Sequence, residues 1–173
     1  KVHLVIPARL GSTRLPRKPL IEVAGKPMIV WVAERASLIA ADDLIVAVDD
    51  QEVMDVVRQH GFECLLTSKG HRSGSDRVLE VASELGWKDE DVLINVQGDE
   101  PLLPTDIVNE LISFMKSGED SGIEFATVSE PLSDQSEFEN PNCVKVVTDR
   151  DGVALYFSRA PIPFPRNQGV SES

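Results

Sequence analysis

At 173 residues, with 42% hydrophobic and 27% charged side chains, the chain is long enough for one domain around a continuous apolar core. Its net charge of −12 argues against general binding to nucleic acid or to an anionic membrane surface. No apolar run approaches the ~20 residues of a membrane-spanning helix. The opening pattern breaks at Pro7 into basic residues, unlike a secretory leader, so the expected location is cytoplasmic. Cys64 and Cys143 share no CxxC spacing and sit beside apolar residues, which predicts small buried thiols in a reducing compartment.

In chain order, "VHLVI" (2–6) predicts a strand buried on both faces. The loop "PARLGSTRLPRKPL" (7–20) then concentrates Arg9, Arg14, Arg17 and Lys18. Residues 1–35 carry seven basic and two acidic side chains, a net +5, so the rest of the chain holds −17. A local positive site in an acidic protein suits a small anionic ligand. Pro27 opens a helix at its first position, running through "MIVWVAERASLIA". "LIVAV" (44–48) is a second strand, after which Asp49 caps a helix that Gly61 stops. "ECLL" (63–66) is a third strand, and "SGSDRVLEVASELG" carries Val78, Val81, Ala82 and Leu85 at helical spacing. "VLINV" (92–96) is another strand, and Pro104 starts a helix bearing Ile107, Leu111, Ile112 and Met115. "FATV" (125–128) and "CVKVV" (143–147) read as strands, with "TDRDG" turning the chain into "VALYF". This alternation predicts an α/β fold, a mainly parallel sheet with helices on both faces and a ligand at the carboxyl ends of its strands.

Three stretches carry chemistry. In the opening loop Gly11 lets backbone approach an anion, Ser12 and Thr13 offer hydroxyls, and Arg9, Arg14 and Lys18 supply charge, so triphosphate binding follows. The loop matches neither GxxxxGK[ST] nor GxGxxG. In "NVQGDEPLL" (95–103), Asp99 leaves a buried strand as a hard carboxylate able to hold Mg²⁺. A plain turn whose Asp bonds backbone amides is the other reading. Gln97 both donates and accepts, as reading a base edge requires. In "HRSGSDR" (71–77), helix capping by Ser73 or Ser75 is the simplest reading, and His71 reads as an exposed loop histidine. Three scattered histidines make no zinc site, and no nucleophilic triad is visible.

"IPARLGSTRLPRKPL", "GKPMI", "HRSGSDR", "NVQGDEPLLP", "NPNCVKVV" and "ALYFSRAPIP" occur in this order over residues 2 to 165. Together they resemble the 3-deoxy-manno-octulosonate cytidylyltransferases, or CMP-Kdo synthetases. The enzymes for the 8-amino sugar and for sialic acid are similar. The resemblance implies a nucleotide-diphospho-sugar transferase fold in a single domain spanning 1–173 and incomplete at its C-terminal side. It implies cytosolic transfer of CMP from CTP to Kdo for lipopolysaccharide assembly, with Mg²⁺ as cofactor and a homodimer at full length. By the same resemblance, Arg9 and Lys18 contact the triphosphate with Arg14 nearby. The Ala8 backbone, Ser73, Gly74 and Gln97 hold cytosine, Asp99 binds Mg²⁺, and Arg159 faces the sugar carboxylate. Position 17 departs from the pattern, with Arg where the family commonly has Gly. Family members are longer, and their further residues would supply a second metal carboxylate, more of the sugar site and much of the dimer contact. Two alternatives stand beside this reading: a cytidylyltransferase for another acidic sugar, and a non-catalytic nucleotide-binding module.

Overall fold

The apolar, β-branched start of the chain forms a strand, as its composition predicts. In the computed structural model, which describes residues 1–11, 15–117 and 122–164, that strand extends to Ala8. The elements of the first compact unit, Lys1–Ala126, are β1 (Val2–Ala8), β2 (Glu22–Val23), β3 (Lys26–Pro27), α1 (Met28–Ala36), β4 (Asp43–Val48), α2 (Gln51–Gln59), β5 (Cys64–Leu66), α3 (Gly74–Glu84), β6 (Val92–Asn95) and α4 (Thr105–Ser117). The second unit, Thr127–Ser173, holds α5 (Gln135–Glu139) and an antiparallel hairpin of β7 (Lys145–Thr148) and β8 (Ala154–Ser158). That hairpin turns at "TDRDG", where Gly152 adopts φ 83°.

Four strands of the first unit make one parallel sheet in the order β5-β4-β1-β6. Side chains alternate across it with period two. Val2, Leu4, Ile6, Val46 and Val48 point to the face covered by α1, α2 and α4. Val5, Ile45 and Ala47 point to the face that Val78 and Val81 of α3 cover. Leu4 and Ile6 are fully buried, and such a side chain contributes about 1.5–3 kcal/mol. The chain steps outward from β1 through β4 to β5, then returns to place β6 on β1's other side. The reversal makes the carboxyl ends of β1 and β6 a topological switch point, where open α/β sheets hold ligands.

Several local expectations change. α1 ends at Ala36 rather than continuing to Ala40, because the chain turns at Ser37 to bring Asp42 N–H onto the Val2 carbonyl at 2.8 Å. The cap of α2 is Asp50, whose carboxylate accepts the Glu52 N–H, and not Asp49. "FATV" forms no strand, and Phe125 is 90% exposed; no neighbouring ladder among the described residues pairs with it. The short β2–β3 hairpin, unpredicted, turns through Ala24 (φ 50°) and Gly25 (φ 80°), as a two-residue turn of the primed type requires. Cys64 is buried, which pushes its thiol up to about 11, whereas Cys143 is only half-buried. No helix among the described residues is long and apolar enough to cross a membrane.

Candidate functional site

The switch point opens into a cleft of about 470 Å³. Four segments converge on it. The end of β1 contributes Pro7, Ala8 and Arg9, and the 3₁₀ turn Lys18–Leu20 adds Lys18 and Pro19. The start of α3 contributes His71, Arg72, Ser73, Gly74 and Arg77. The turn after β6 adds Gln97, Gly98 and Asp99. Among the described residues lining it, Arg9, Lys18 and Arg72 face one carboxylate, Asp99, while Arg77 is paired with Asp49, so the cleft is cationic in a chain of net −12. An anionic ligand fits that balance.

Of the residues singled out in the sequence, Ala8, Arg9, Lys18, Ser73, Gly74, Gln97 and Asp99 all line this cleft. Arg14, with Ser12 and Thr13, lies outside the described residues. Arg159 belongs to the second unit, where its guanidinium donates to the Pro141 carbonyl at 2.8 Å. In that unit the buried Lys145 ammonium donates to the carbonyls of Asn140, Cys143 and Arg159 itself, which fixes the backbone around Arg159.

Ser73 caps α3, as the simplest reading held. Its hydroxyl accepts the Asp76 N–H at 3.1 Å while Asp76 accepts the Ser73 N–H at 3.0 Å. The Ser73 hydroxyl bond, foremost, holds the Asp76 carboxyl below its ordinary range. Ser73 thus caps α3 and lines the cleft at once. His71 is not an exposed loop histidine: its side chain is 20% exposed and bonds Glu80 of α3. Glu80 also accepts the Ser68 N–H at about 3.0 Å, so one carboxylate ties down the loop that delivers His71, Arg72 and Ser73. The His71 bond is the main reason the Glu80 carboxyl lies below its ordinary range.

Two features escaped the sequence reading. The first is a buried relay behind the cleft wall. Asp49 accepts the Leu10 N–H at 2.9 Å and Arg77 Nη2 at 3.3 Å. Arg77 Nη1 donates to Thr67 Oγ1, whose hydroxyl donates to the Val48 carbonyl at 2.7 Å. Asp49 is committed to this relay, which explains why its neighbour caps α2. The second is a pinch on Pro7. A Cβ on Gly98 would stand 3.0 Å from the Pro7 carbonyl oxygen, and one on Gly74 would stand 3.2 Å from the Pro7 ring. Glycine at both positions lets α3 and the β6 turn close on the end of β1. Gly98→Val is therefore expected to lower stability by about 1–3 kcal/mol, because the added side chain must push aside the Pro7 carbonyl. Thermal melting checks this; an unchanged melting temperature would mean the turn after β6 yields without cost.

Arg17 sits in the left-handed region at φ 59°, ψ 28°, which costs a residue with a Cβ about 1–2 kcal/mol. Its guanidinium does not line the cleft and pairs instead with Glu52 of α2. Lys18 pairs with Asp99 across the cleft. Among the described residues no three His, Cys, Asp or Glu cluster as a metal cage. A cation at Asp99 would depend on one or two carboxylates and on oxygens of its ligand, and those hard donors suit Mg²⁺. The Lys18 ammonium already stands against Asp99 as a cation, so the donor fits the charge.

Known proteins match most of the chain. The chain is 51% identical, over 165 residues, to the 3-deoxy-manno-octulosonate cytidylyltransferase of Saccharophagus degradans (strain 2-40). The match covers 95% of this chain and 64% of that relative, so the chain spans just under two thirds of the relative's length. A solved CMP:2-keto-3-deoxy-manno-octonic acid synthetase complexed with CTP superposes with a TM-score of 0.83 at 42% identity, covering 96% of this chain and 67% of that one. A cytidylyltransferase from Leptospira borgpetersenii serovar Hardjo-bovis, 21% identical with a TM-score of 0.56 over 66% of this chain and 48% of its own, shares the fold. The sequence model described as cytidylyltransferase matches residues 3–171, which takes in both units and every segment of the cleft, and the chain belongs to the cytidylyltransferase family.

Proposed function

We propose that this chain transfers CMP from CTP to 3-deoxy-manno-octulosonate (Kdo), releasing pyrophosphate, in lipopolysaccharide assembly. The observation that supports this most is the convergence of Arg9, Lys18, Ser73, Gly74, Gln97 and Asp99 on one cationic cleft in a chain 51% identical to a Kdo cytidylyltransferase. The sugar's anomeric hydroxyl attacks the α-phosphorus of CTP in line and expels pyrophosphate, so no protein nucleophile is needed.

In this reading the Ala8 backbone, Ser73, Gly74 and Gln97 hold cytosine, with Gln97 serving the base edge as donor and acceptor. Arg9 and Lys18, with Arg14, neutralise the triphosphate, and positioning plus charge complementarity lower the barrier. Asp99 would hold Mg²⁺, which supplies neutralisation of phosphate charge when bound. Arg159 would bind the sugar carboxylate. A cytoplasmic homodimer is the expected setting.

The test is pyrophosphate release by the intact protein from CTP and Mg²⁺ with a panel of sugar acids. Release with Kdo in preference to 8-amino-Kdo and sialic acid is the expected result. Preference for another acid would reassign the substrate, and CTP binding without release would make the chain a nucleotide-binding module.

A further inference from the structure

Lys18 and Asp99 lie 81 positions apart in the sequence and reach the cleft from different segments, yet their ammonium and carboxylate are in contact. The proposed reaction gives them opposite tasks, one a cation for phosphate and the other an anion for metal. In this structure each holds the other. Their side chains are 33% and 43% exposed, so both remain reachable from solvent. Asp49, the carboxylate bonded to Arg77, is also committed to the Leu10 N–H.

The consequences for binding follow from charge alone. A divalent ion arriving by itself must displace the Lys18 ammonium from Asp99 and leave that cation beside it without a counter-charge. A nucleotide arriving by itself must draw Lys18 away and leave Asp99 facing its phosphates. Arriving together, they exchange one ion pair for two, with Asp99 on the metal and Lys18 on phosphate. We propose that the Lys18 ammonium is an internal placeholder for the metal, which makes cation binding at Asp99 conditional on nucleotide. The inference rests on the roles given to Asp99 and Lys18 above. By linkage, whatever factor the nucleotide adds to metal affinity, the metal adds to nucleotide affinity.

The placeholder has a signature of unusual sign: removing a phosphate-binding lysine should tighten metal binding. Mn²⁺ is the probe, followed by electron paramagnetic resonance on the intact protein without nucleotide. Lys18→Met is expected to bind Mn²⁺ at least ~10-fold more tightly than the unaltered protein, while its CTP affinity falls. Lys18→Arg, which keeps a cation against Asp99, should stay as weak as the unaltered protein. Asp99→Asn added to Lys18→Met should erase the gain and so locate it. If Lys18→Met binds Mn²⁺ no better, while Asp99→Asn still abolishes Mn²⁺ binding in the presence of CTP, the placeholder is wrong and the metal role of Asp99 stands. If Asp99→Asn leaves Mn²⁺ binding with CTP untouched, the metal assignment fails and the placeholder fails with it.

Discussion

Asp99→Asn is expected to lower kcat/KM for CMP transfer by about two to three orders of magnitude while leaving the melting temperature nearly unchanged. The two side chains are almost isosteric, so the turn after β6, with its Glu100 N–H to Gln97 carbonyl bond at 3.3 Å, keeps its shape. The amide cannot replace the carboxylate's charge. Metal-derived stabilisation of transferring phosphate is worth several kcal/mol, and each 1.36 kcal/mol is about tenfold in rate. Loss of the half-exposed pair with Lys18 costs at most about 1 kcal/mol of stability, which the melting curve registers weakly. Steady-state kinetics on the intact protein, beside a thermal melt, provide the check. Were Asp99 only a turn residue bonding backbone amides, Asn would serve nearly as well. Retained Mg²⁺-dependent activity would decide for that simpler role.

Elements specified by local pattern were legible in the sequence, and those specified by distant partners were not. β1 and β4 announce themselves as short apolar runs because a parallel strand buried on both faces has little polar side to alternate, and the edge strands β5 and β6 are short apolar runs as well. Once those strands were placed, the strand-end rule located the cleft, and the motif resemblance supplied most of its lining. The pair Asp49–Asp50 shows the limit. Either residue can cap a helix, and the choice falls on Asp50 only because Asp49 is held by Leu10, 39 residues away, and by Arg77, 28 residues away. "FATV" has strand composition, but composition cannot supply a ladder partner. Arg17 in the left-handed region violates a local preference, and only its reach to Glu52 gives its side chain a place. Within the cleft, Arg72 and Arg77 stood inside a motif already noticed, yet nothing local marked Arg77 as the buried member of a relay.

Arg77→Met is expected to cost about 3 kcal/mol of stability, equivalent to roughly 6–12 °C in melting temperature for a chain of this size. Arg77 is 4% exposed and Asp49 14%, so the guanidinium neutralises a carboxylate that water reaches poorly. Met restores much of the apolar volume but leaves that charge without its cation. Asp49 keeps the Leu10 N–H and Thr67 keeps the Val48 carbonyl, which places the cost at the low end for breaking a buried pair. The cost should reach the cleft through Leu10, because its bond to Asp49 anchors the opening loop directly after Arg9. KM for CTP should therefore rise more than kcat falls, a split that a purely structural residue would not produce. Arg77→Lys should restore part of the stability by returning a cation, but it lacks the fork that reaches Asp49 and Thr67 at once. In Arg77→Met with Asp49→Asn, removing the stranded charge should make the double variant more stable than the sum of the single losses predicts. Additive losses, or an Arg77→Met protein within 1 kcal/mol of the unaltered one, would show that the relay does not hold the loop.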